Sequence, residues 1–271
     1  MNNKKTTVLI LKSIIFKICF ISVTIIEMIL FTPFYFFLSH KKAWIVPRLW
    51  IRTILFLQKY IVGISYQIEG IEHLPHNAYI IAAKHQSIWE TLILVLHIQD
   101  PTFILKRELM RIPVFGCFLA KMNMIPINRR MPLKALRMII KQAKQMVKAN
   151  RQIIIFPEGT RQFPGEKPKY KNGIFQIYSE LVLPVIPIAL NSGIYWPKKQ
   201  FCLYPGIIQC RILPPIQPGL KKIEFMTLLE KEIENSCDEL LLIAAQDNPL
   251  FFTQKTAVKR LKQLTNNGKI F

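Results

Sequence analysis

The spacing of apolar and polar residues changes twice along the chain, and each change predicts a different kind of element. From Val8 to Leu38 the residues are almost continuously apolar, with Lys12, Lys17 and Glu27 as the charged interruptions. The stretch from Ile18 to Leu38 is long enough to cross a hydrocarbon core of about 30 Å as one helix. Its flanks complicate a single crossing. Lys4, Lys5, Lys12 and Lys17 precede it, and His40, Lys41, Lys42, Arg48 and Arg52 follow it. The positive-inside rule asks one flank to be poor in Lys and Arg. Two arrangements therefore stand: one ordinary anchor helix, or an in-plane helix pair or re-entrant hairpin whose lysines reach up to phosphate headgroups. Pro33 is expected to break or kink this segment. The stretch is too long for a cleaved signal peptide, and no small-x-small site follows it.

Residues 44–62 stay apolar with Arg48, Arg52 and Lys59 interleaved, and Ile45, Leu49, Arg52, Phe56 and Lys59 follow helical spacing, which predicts an amphipathic helix joining anchor to domain. After Gly63 the texture becomes α/β. Ile64 to Glu69 alternates like a strand, and Tyr79 to Ala83 is a short run that reads as a buried strand. Further strands are predicted at Phe103 to Leu105, Ile153 to Phe156, Val185 to Leu190 and Gln209 to Leu213. Helices are predicted at Ser87 to Leu96, Leu133 to Ala149, Phe175 to Leu181, Phe225 to Ala245 and Lys255 to Leu264. Alternating strands and helices imply an α/β fold, a mixed sheet flanked by helices, with an N-terminal membrane-attached helical segment. The expected organisation is anchor and linker over 1–62, an α/β domain over 63–222 and C-terminal helices over 223–271.

Charge sharpens this picture. Among 271 residues, 37 Lys and Arg face 16 Asp and Glu, a formal net charge of +21. Such an excess draws polyanions, either nucleic acid or the anionic surface of a bilayer. The cations are scattered among apolar residues and no nucleic-acid recognition motif is present, which favours membrane lipids as partner. The five cysteines show no C-x-x-C spacing, so neither a zinc site nor a disulfide framework is indicated.

Three segments carry candidate chemistry. Lys84-His85-Gln86-Ser87-Ile88-Trp89-Glu90 lies where an apolar strand ends and a helix begins, the usual place for sites in such sheets. Histidine is the natural general base near neutral pH, and a carboxylate that fixes its tautomer improves it. Glu90 can fold back to do this; Ser87 and Glu90 also have the spacing of a capping box, and the two roles are compatible. Next, Phe156-Pro157-Glu158-Gly159-Thr160-Arg161 forms a turn after a strand. That turn is expected to present Glu158 and Arg161 outward, with Arg161 offering a planar fork suited to phosphate. Last, Lys106 to Arg130 gathers Lys106, Arg107, Lys121, Arg129 and Arg130 near Pro113 and Gly116. It reads as a phosphate pocket or as a solvated basic surface.

Taken in order, these segments resemble the glycerolipid acyltransferase family. His85 and Glu90 match its H-x4-D motif except that glutamate stands for aspartate. Lys106, Leu109, Pro113 and Gly116 match K-x2-L-x3-P-x2-G, and Ile125, Ile127, Asn128 and Arg129 match the I-x-I-D/N-R that closes it. Residues 156–161 match F-P-E-G-T-R in full. Lys171 and Gly173 match a following K-x-G, and Val185 to Leu190 resembles a V-x-P-V-A-L-like strand.

The resemblance implies acyl transfer from acyl-CoA or acyl-carrier protein to the hydroxyl of lysophosphatidic acid, without an acyl-enzyme, a metal or a resident cofactor. It implies His85 as base and Glu90 as its orienting partner. Lys106, Arg129 and Arg161 would hold the acceptor phosphate, Glu158 would shape the acceptor site, Gly159 would allow close backbone approach, and Thr160 and Lys171 would complete the substrate site. It also implies a catalytic domain on the cytoplasmic face of a bacterial inner membrane. Another lyso-lipid or glycerol-3-phosphate as acceptor, or a catalytically silent membrane-surface binding protein, is the competing reading.

Overall fold

The computed structural model describes residues 3–128, 132–247 and 254–266. Helix α1 (Asn3–Tyr35) runs unbroken with Pro33 inside its last turn. The chain turns only after Tyr35, through Phe37 N–H to Phe34 O and Leu38 N–H to Tyr35 O. The helix continues through Pro33, forgoing the bond its N–H would make to Ile29 O, and the predicted break falls two residues beyond it. The short α2 (His40–Ala43) leads into α3 (Ile45–Leu57). A π-helical turn over Gln58–Val62 ends at Gly63, where φ is 85°, a left-handed conformation that glycine adopts without a β-carbon clash.

The sequence left one span and an in-plane pair open, and the packing of α1 bears on that choice. One stripe faces the protein along the whole helix: Leu9, Ser13, Phe16 and Tyr35 are buried. Ser13 Oγ accepts the Leu203 N–H at 3.0 Å, Phe16 meets the Trp196 ring edge-on at 5.4 Å, and Tyr35 stacks on Phe118 at 4.1 Å. Trp50 of α3 donates its indole N–H to Thr24 Oγ1 at 3.0 Å, tying the two helices together. The opposite stripe, Ile18, Ile21, Ile25, Ile29 and Phe34, is more than half exposed. From Leu9 to Tyr35 the helix follows the protein surface for about 39 Å at ~1.5 Å per residue.

The remaining elements are β1 (Ile64–Glu69), β2 (Ile80–Ala83), α4 (Trp89–His97), β3 (Pro101–Lys106), α5 (Phe115–Lys121), β4 (Ile125–Ile127), α6 (Pro132–Lys148), β5 (Gln152–Ile155), α7 (Gly173–Leu181), β6 (Val185–Leu190), α8 (Ser192–Tyr195), β7 (Gly206–Ile212), α9 (Lys222–Asp247) and α10 (Lys255–Asn266). Seven strands form one sheet in the order β1-β7-β6-β2-β5-β3-β4. The five from β6 to β4 are mutually parallel, while β7 runs antiparallel to β6 and carries β1 parallel to itself. The mixed sheet flanked by helices is as the alternation implied.

Side-chain alternation along β2 divides the core. Ile81 and Ala83 pack with Phe16, Ile51, Ile54 and Trp89 of α1, α3 and α4. Ile80 and Ala82 pack with Ile139, Ile177, Phe225 and Ile233 of α6, α7 and α9. Residues of 1–62 and 223–271 thus share the core of the α/β body, and the boundaries drawn at 62 and 222 do not separate independent cores. The sequence pattern did not single out β4 or α5 as elements. β4 is a three-residue edge strand with Pro126 at its centre, a residue tolerated only at sheet edges.

Candidate active site

The carboxyl ends of β2, β5, β6, β3 and β4 lie on one edge of the sheet, and the three predicted segments emerge there, after β2, β3 and β5. His85 leaves β2 just after Lys84, and Glu90 sits in the first turn of α4. Glu90 Oε1 lies 2.8 Å from His85 Nδ1 and also accepts the backbone N–H of Gln86 (2.7 Å) and Ser87 (2.6 Å). Its Oε2 accepts the Ser192 hydroxyl at 2.8 Å. The carboxylate is fully buried, whereas His85 keeps part of its ring open.

The orienting and capping roles of Glu90 therefore coexist on one oxygen. Only the glutamate half of the capping box forms: Ser87 Oγ accepts the Trp89 N–H at 3.3 Å in place of the Glu90 N–H, and the helix N-cap is Ile88. A carboxylate can only accept, so the proton of the pair resides on His85 Nδ1 and Nε2 is left with its lone pair. The Phe156 ring stacks on the imidazole at 4.0 Å and 17°, which holds the ring plane.

The turn after β5 departs from expectation at one residue. Thr160 and Arg161 are exposed, as the turn was expected to place its basic fork, and Gly159 takes a left-handed φ of 70°. Glu158, expected to point outward and shape the acceptor site, is only 2% exposed. Its Oε2 accepts the His85 backbone N–H at 3.1 Å, and its Oε1 lies 2.9 Å from the Lys84 ammonium. Lys84, 1% exposed, also meets Glu234 of α9 at 2.6 Å, and the Tyr170 hydroxyl donates to the same Glu234 oxygen at 2.8 Å. The physical reason is charge pairing: a buried ammonium one residue before the histidine draws the nearest carboxylate inward. Burial disfavours the Lys84 charge, but Glu158 and Glu234 outweigh it and hold the ammonium above lysine's usual range. Burial pushes the Glu158 carboxyl up to about 7 against the opposing pull of Lys84. Burial is the main cause for Glu158, and the neighbouring Glu234 carboxylate adds to it in the same direction.

The other predicted residues divide. Lys171 stands beside the turn: a β-carbon at Gly159 would lie 3.7 Å from Lys171 Cγ, and Lys171 N–H donates to Pro157 O at 2.8 Å. Gln162 N–H donates to His85 O at 2.7 Å, so the basic turn is stitched to the histidine. Lys106 ends β3, two strand spacings of about 4.8 Å from β2, and its ammonium lies 3.6 Å from exposed Glu108. Arg129 lies outside the described residues. Lys84, Tyr170, Ser192 and Glu234 were not identified from sequence as site residues. Lys84 had a usable signal, being a polar residue between a buried strand and the histidine; Ser192 had none, because its link to Glu90 is distant in sequence. Glu234 and Tyr170 had none, because their partners are distant in sequence.

Comparison with known proteins bears on the segment that carries these motifs. The acyltransferase family matches residues 65–191. A 1-acyl-sn-glycerol-3-phosphate acyltransferase of Pseudomonas aeruginosa is 40% identical over 169 residues, 62% of this chain and 66% of that protein. Over residues 65–191 the chain resembles the acyltransferase family. A mouse (Mus musculus) 1-acyl-sn-glycerol-3-phosphate acyltransferase alpha is 31% identical over 172 residues, 61% of this chain and 60% of that protein. The stretch matched in each of these relatives is thus somewhat under two thirds of its length. The crystal structure of the 1-acyl-sn-glycerophosphate (LPA) acyltransferase from Thermotoga maritima shares the fold with a TM-score of 0.71 at 22% identity, covering 85% of this chain and 96% of that one. All the motif residues from His85 to Leu190 fall inside the segment matched to the family. The long apolar helix with its uncovered face fits membrane attachment.

Proposed function

We propose that the protein transfers a fatty-acyl group from the thioester of acyl-CoA or acyl-carrier protein to the sn-2 hydroxyl of 1-acyl-glycerol-3-phosphate, giving phosphatidic acid. The observation that carries this reading is the His85–Glu90 pair at 2.8 Å on the edge where the basic turn emerges. His85 Nε2 takes the acceptor hydroxyl proton while Glu90 supports the imidazolium that results. The acceptor oxygen attacks the thioester carbonyl, the C–S bond breaks as the tetrahedral oxyanion collapses, and His85 returns the proton to the leaving thiolate. Arg161, Lys171 and Lys106, all exposed near that edge, are the cations offered to the acceptor phosphate, with Thr160 beside them. Gly159, lacking a β-carbon, leaves backbone free for close approach. Glu158 acts from beneath, through the His85 backbone. The reaction needs no metal and no cofactor beyond the acyl donor.

The same reading places α1 in the plane of a bacterial inner membrane, on its cytoplasmic leaflet, where the donors are. A helix docked on the protein along about 39 Å offers lipid one face and not its whole circumference, which supports in-plane attachment over a single perpendicular crossing. The test is acyl transfer by detergent-solubilised protein, wild type beside His85→Ala, with lysophosphatidic acid and each donor, following phosphatidate. Product from wild type and almost none from the variant is expected. Equal product from both refutes His85 as base; product from neither, beside a working control enzyme, refutes the acceptor and moves the assay to other lyso-lipids and glycerol-3-phosphate.

A further inference from the structure

The segment between β3 and β4 carries a second uncovered apolar surface. Leu109, Ile112, Val114 and Phe115 are each more than a third exposed, within a few residues of one another. Exposed Arg107 and Arg111 are interleaved with them. The tip is strained: Phe115 N–H donates to Pro113 O at 2.6 Å across Val114, whose φ and ψ are 61° and −55°. That is the rare, high-energy form of γ-turn, here on a β-branched residue. The turn is nevertheless well braced. A β-carbon at Gly116 would lie 2.1 Å from Met110 O, so backbone packs on backbone beneath the tip. Water rewards neither the strained turn nor the apolar side chains it displays.

This surface is continuous with the exposed end of α1. Phe118 of α5 stacks on Tyr35 at 4.1 Å and meets Phe36 edge-on at 6.0 Å. The Lys121 ammonium donates to Phe36 O at 3.0 Å. Beside that junction Phe34 is 70% and Phe37 88% exposed. One apolar patch therefore spans two parts of the chain far apart in sequence, with cations among its apolar residues. Apolar tips edged by Arg and Lys are the composition of an element that lies in the interface of an anionic bilayer.

We propose that the Arg107–Phe118 segment is a second membrane-inserting element, which dips Ile112, Val114 and Phe115 into an anionic lipid surface beside the end of α1. It rests on the membrane association of α1 and not on the identity of the acyl acceptor. Because the segment begins one residue after Lys106, insertion would set that ammonium at headgroup depth on the sheet edge that bears His85. The inserted tip thus fixes where the lipid phosphate is met.

The test uses the full-length protein and vesicles of phosphatidylcholine with about a third phosphatidylglycerol. Cys117, exposed in α5, is labelled with an environment-sensitive fluorophore after replacing Cys19 and Cys202 by serine. Vesicles are expected to shift its emission to the blue. The double variant Ile112→Ser/Phe115→Ser is expected to partition about tenfold or more weakly, given the usual free energy of burying two large apolar side chains. Its turnover of a water-soluble short-chain lysophosphatidate in the absence of vesicles should match wild type. An unshifted emission with partitioning within twofold of wild type overturns the proposal. So does a self-associating protein that the double variant turns monomeric with vesicle binding intact, since the patch would then be covered by a second copy. Loss of vesicle partitioning in a protein that makes no phosphatidate would leave this proposal standing and sink the acceptor assignment.

Discussion

Glu90→Gln separates what the carboxylate does by charge from what it does by shape. Oε1 is surrounded by donors, the His85 Nδ1–H and the backbone N–H groups of Gln86 and Ser87, all within 2.8 Å. Oε2 meets one hydroxyl, Ser192 Oγ at 2.8 Å, which can accept as well as donate. A glutamine fits this environment in one orientation, with its carbonyl oxygen among the three donors and its amide nitrogen towards Ser192. Every hydrogen bond then survives and the charge alone is lost. The unfolding temperature should stay within a few degrees of wild type. Catalysis should not survive so well, because the imidazolium formed on proton abstraction loses its counter-charge. Two unit charges about 4 Å apart in a partly dry site attract by about 4 kcal/mol, and ~1.4 kcal/mol is a factor of ten in rate. The expected loss is therefore about 10³-fold in kcat, with KM for both substrates little changed. The assay is initial-rate acyl transfer in detergent, with melting followed on the same preparations. A variant that keeps its fold and its kcat within tenfold of wild type refutes the electrostatic role and leaves Glu90 as a loop clamp.

Other perturbations read other parts of the site. Glu90→Ala should lose most activity and also stability, since it strands buried donors, while Glu90→Asp should keep some activity; full activity in the alanine variant removes the residue from the mechanism. Lys84→Met should cost about 3–5 kcal/mol of stability by leaving Glu158 and Glu234 buried without their ammonium, seen as a markedly lower melting temperature; an unchanged melt would contradict the buried ion pair. Gly193→Ala should cost about 1–3 kcal/mol by overpacking, because its β-carbon would stand 2.8 Å from Gln86 Cβ and 2.9 Å from Pro164 Cγ; a neutral effect on melting would show that this contact gives way freely. High salt should weaken sedimentation with vesicles without releasing the protein, because screening acts on the cations and not on the apolar face of α1; full release by salt alone would show that α1 is not embedded.

The sheet was legible in sequence where its strands are buried on both sides. Tyr79 to Ala83, Ile153 to Phe156 and Val185 to Leu190 are unbroken apolar runs, and each holds a strand within a residue or two of its expected limits. Strand β4 was not legible, because three residues around a proline carry no period. The His85–Glu90 pair was legible because both residues sit on one turn, so their contact is local. Glu158 was misread for the opposite reason. A tight Pro-Gly turn says that the chain reverses, but the direction of its glutamate is set by Lys84 and Glu234, and the second of these lies far along the chain on α9. Contacts of that range are decided by packing, which the local pattern does not encode.

The division of the core by β2 explains why neighbouring Lys84 and His85 have such different fates. Residues at even positions of this strand face α6, α7 and α9, and those at odd positions face α1, α3 and α4. Extending the alternation by two residues sends Lys84 towards α9 and His85 towards the side of the membrane-attached helices. The lysine is received there by Glu234, and the His85 backbone is held from the same side by Glu158. The imidazole is thereby presented to the other side with its partner Glu90 already on the first turn of α4, which packs in that same layer. Shifting the strand by one residue would exchange the two and bury the histidine against α9. With one Ile and one Ala on each face, the apolar residues of β2 do not choose its facing; the pairing of buried Lys84 with Glu158 and Glu234 favours the observed one. His85 and the long apolar helix α1 share one side of the sheet as a consequence.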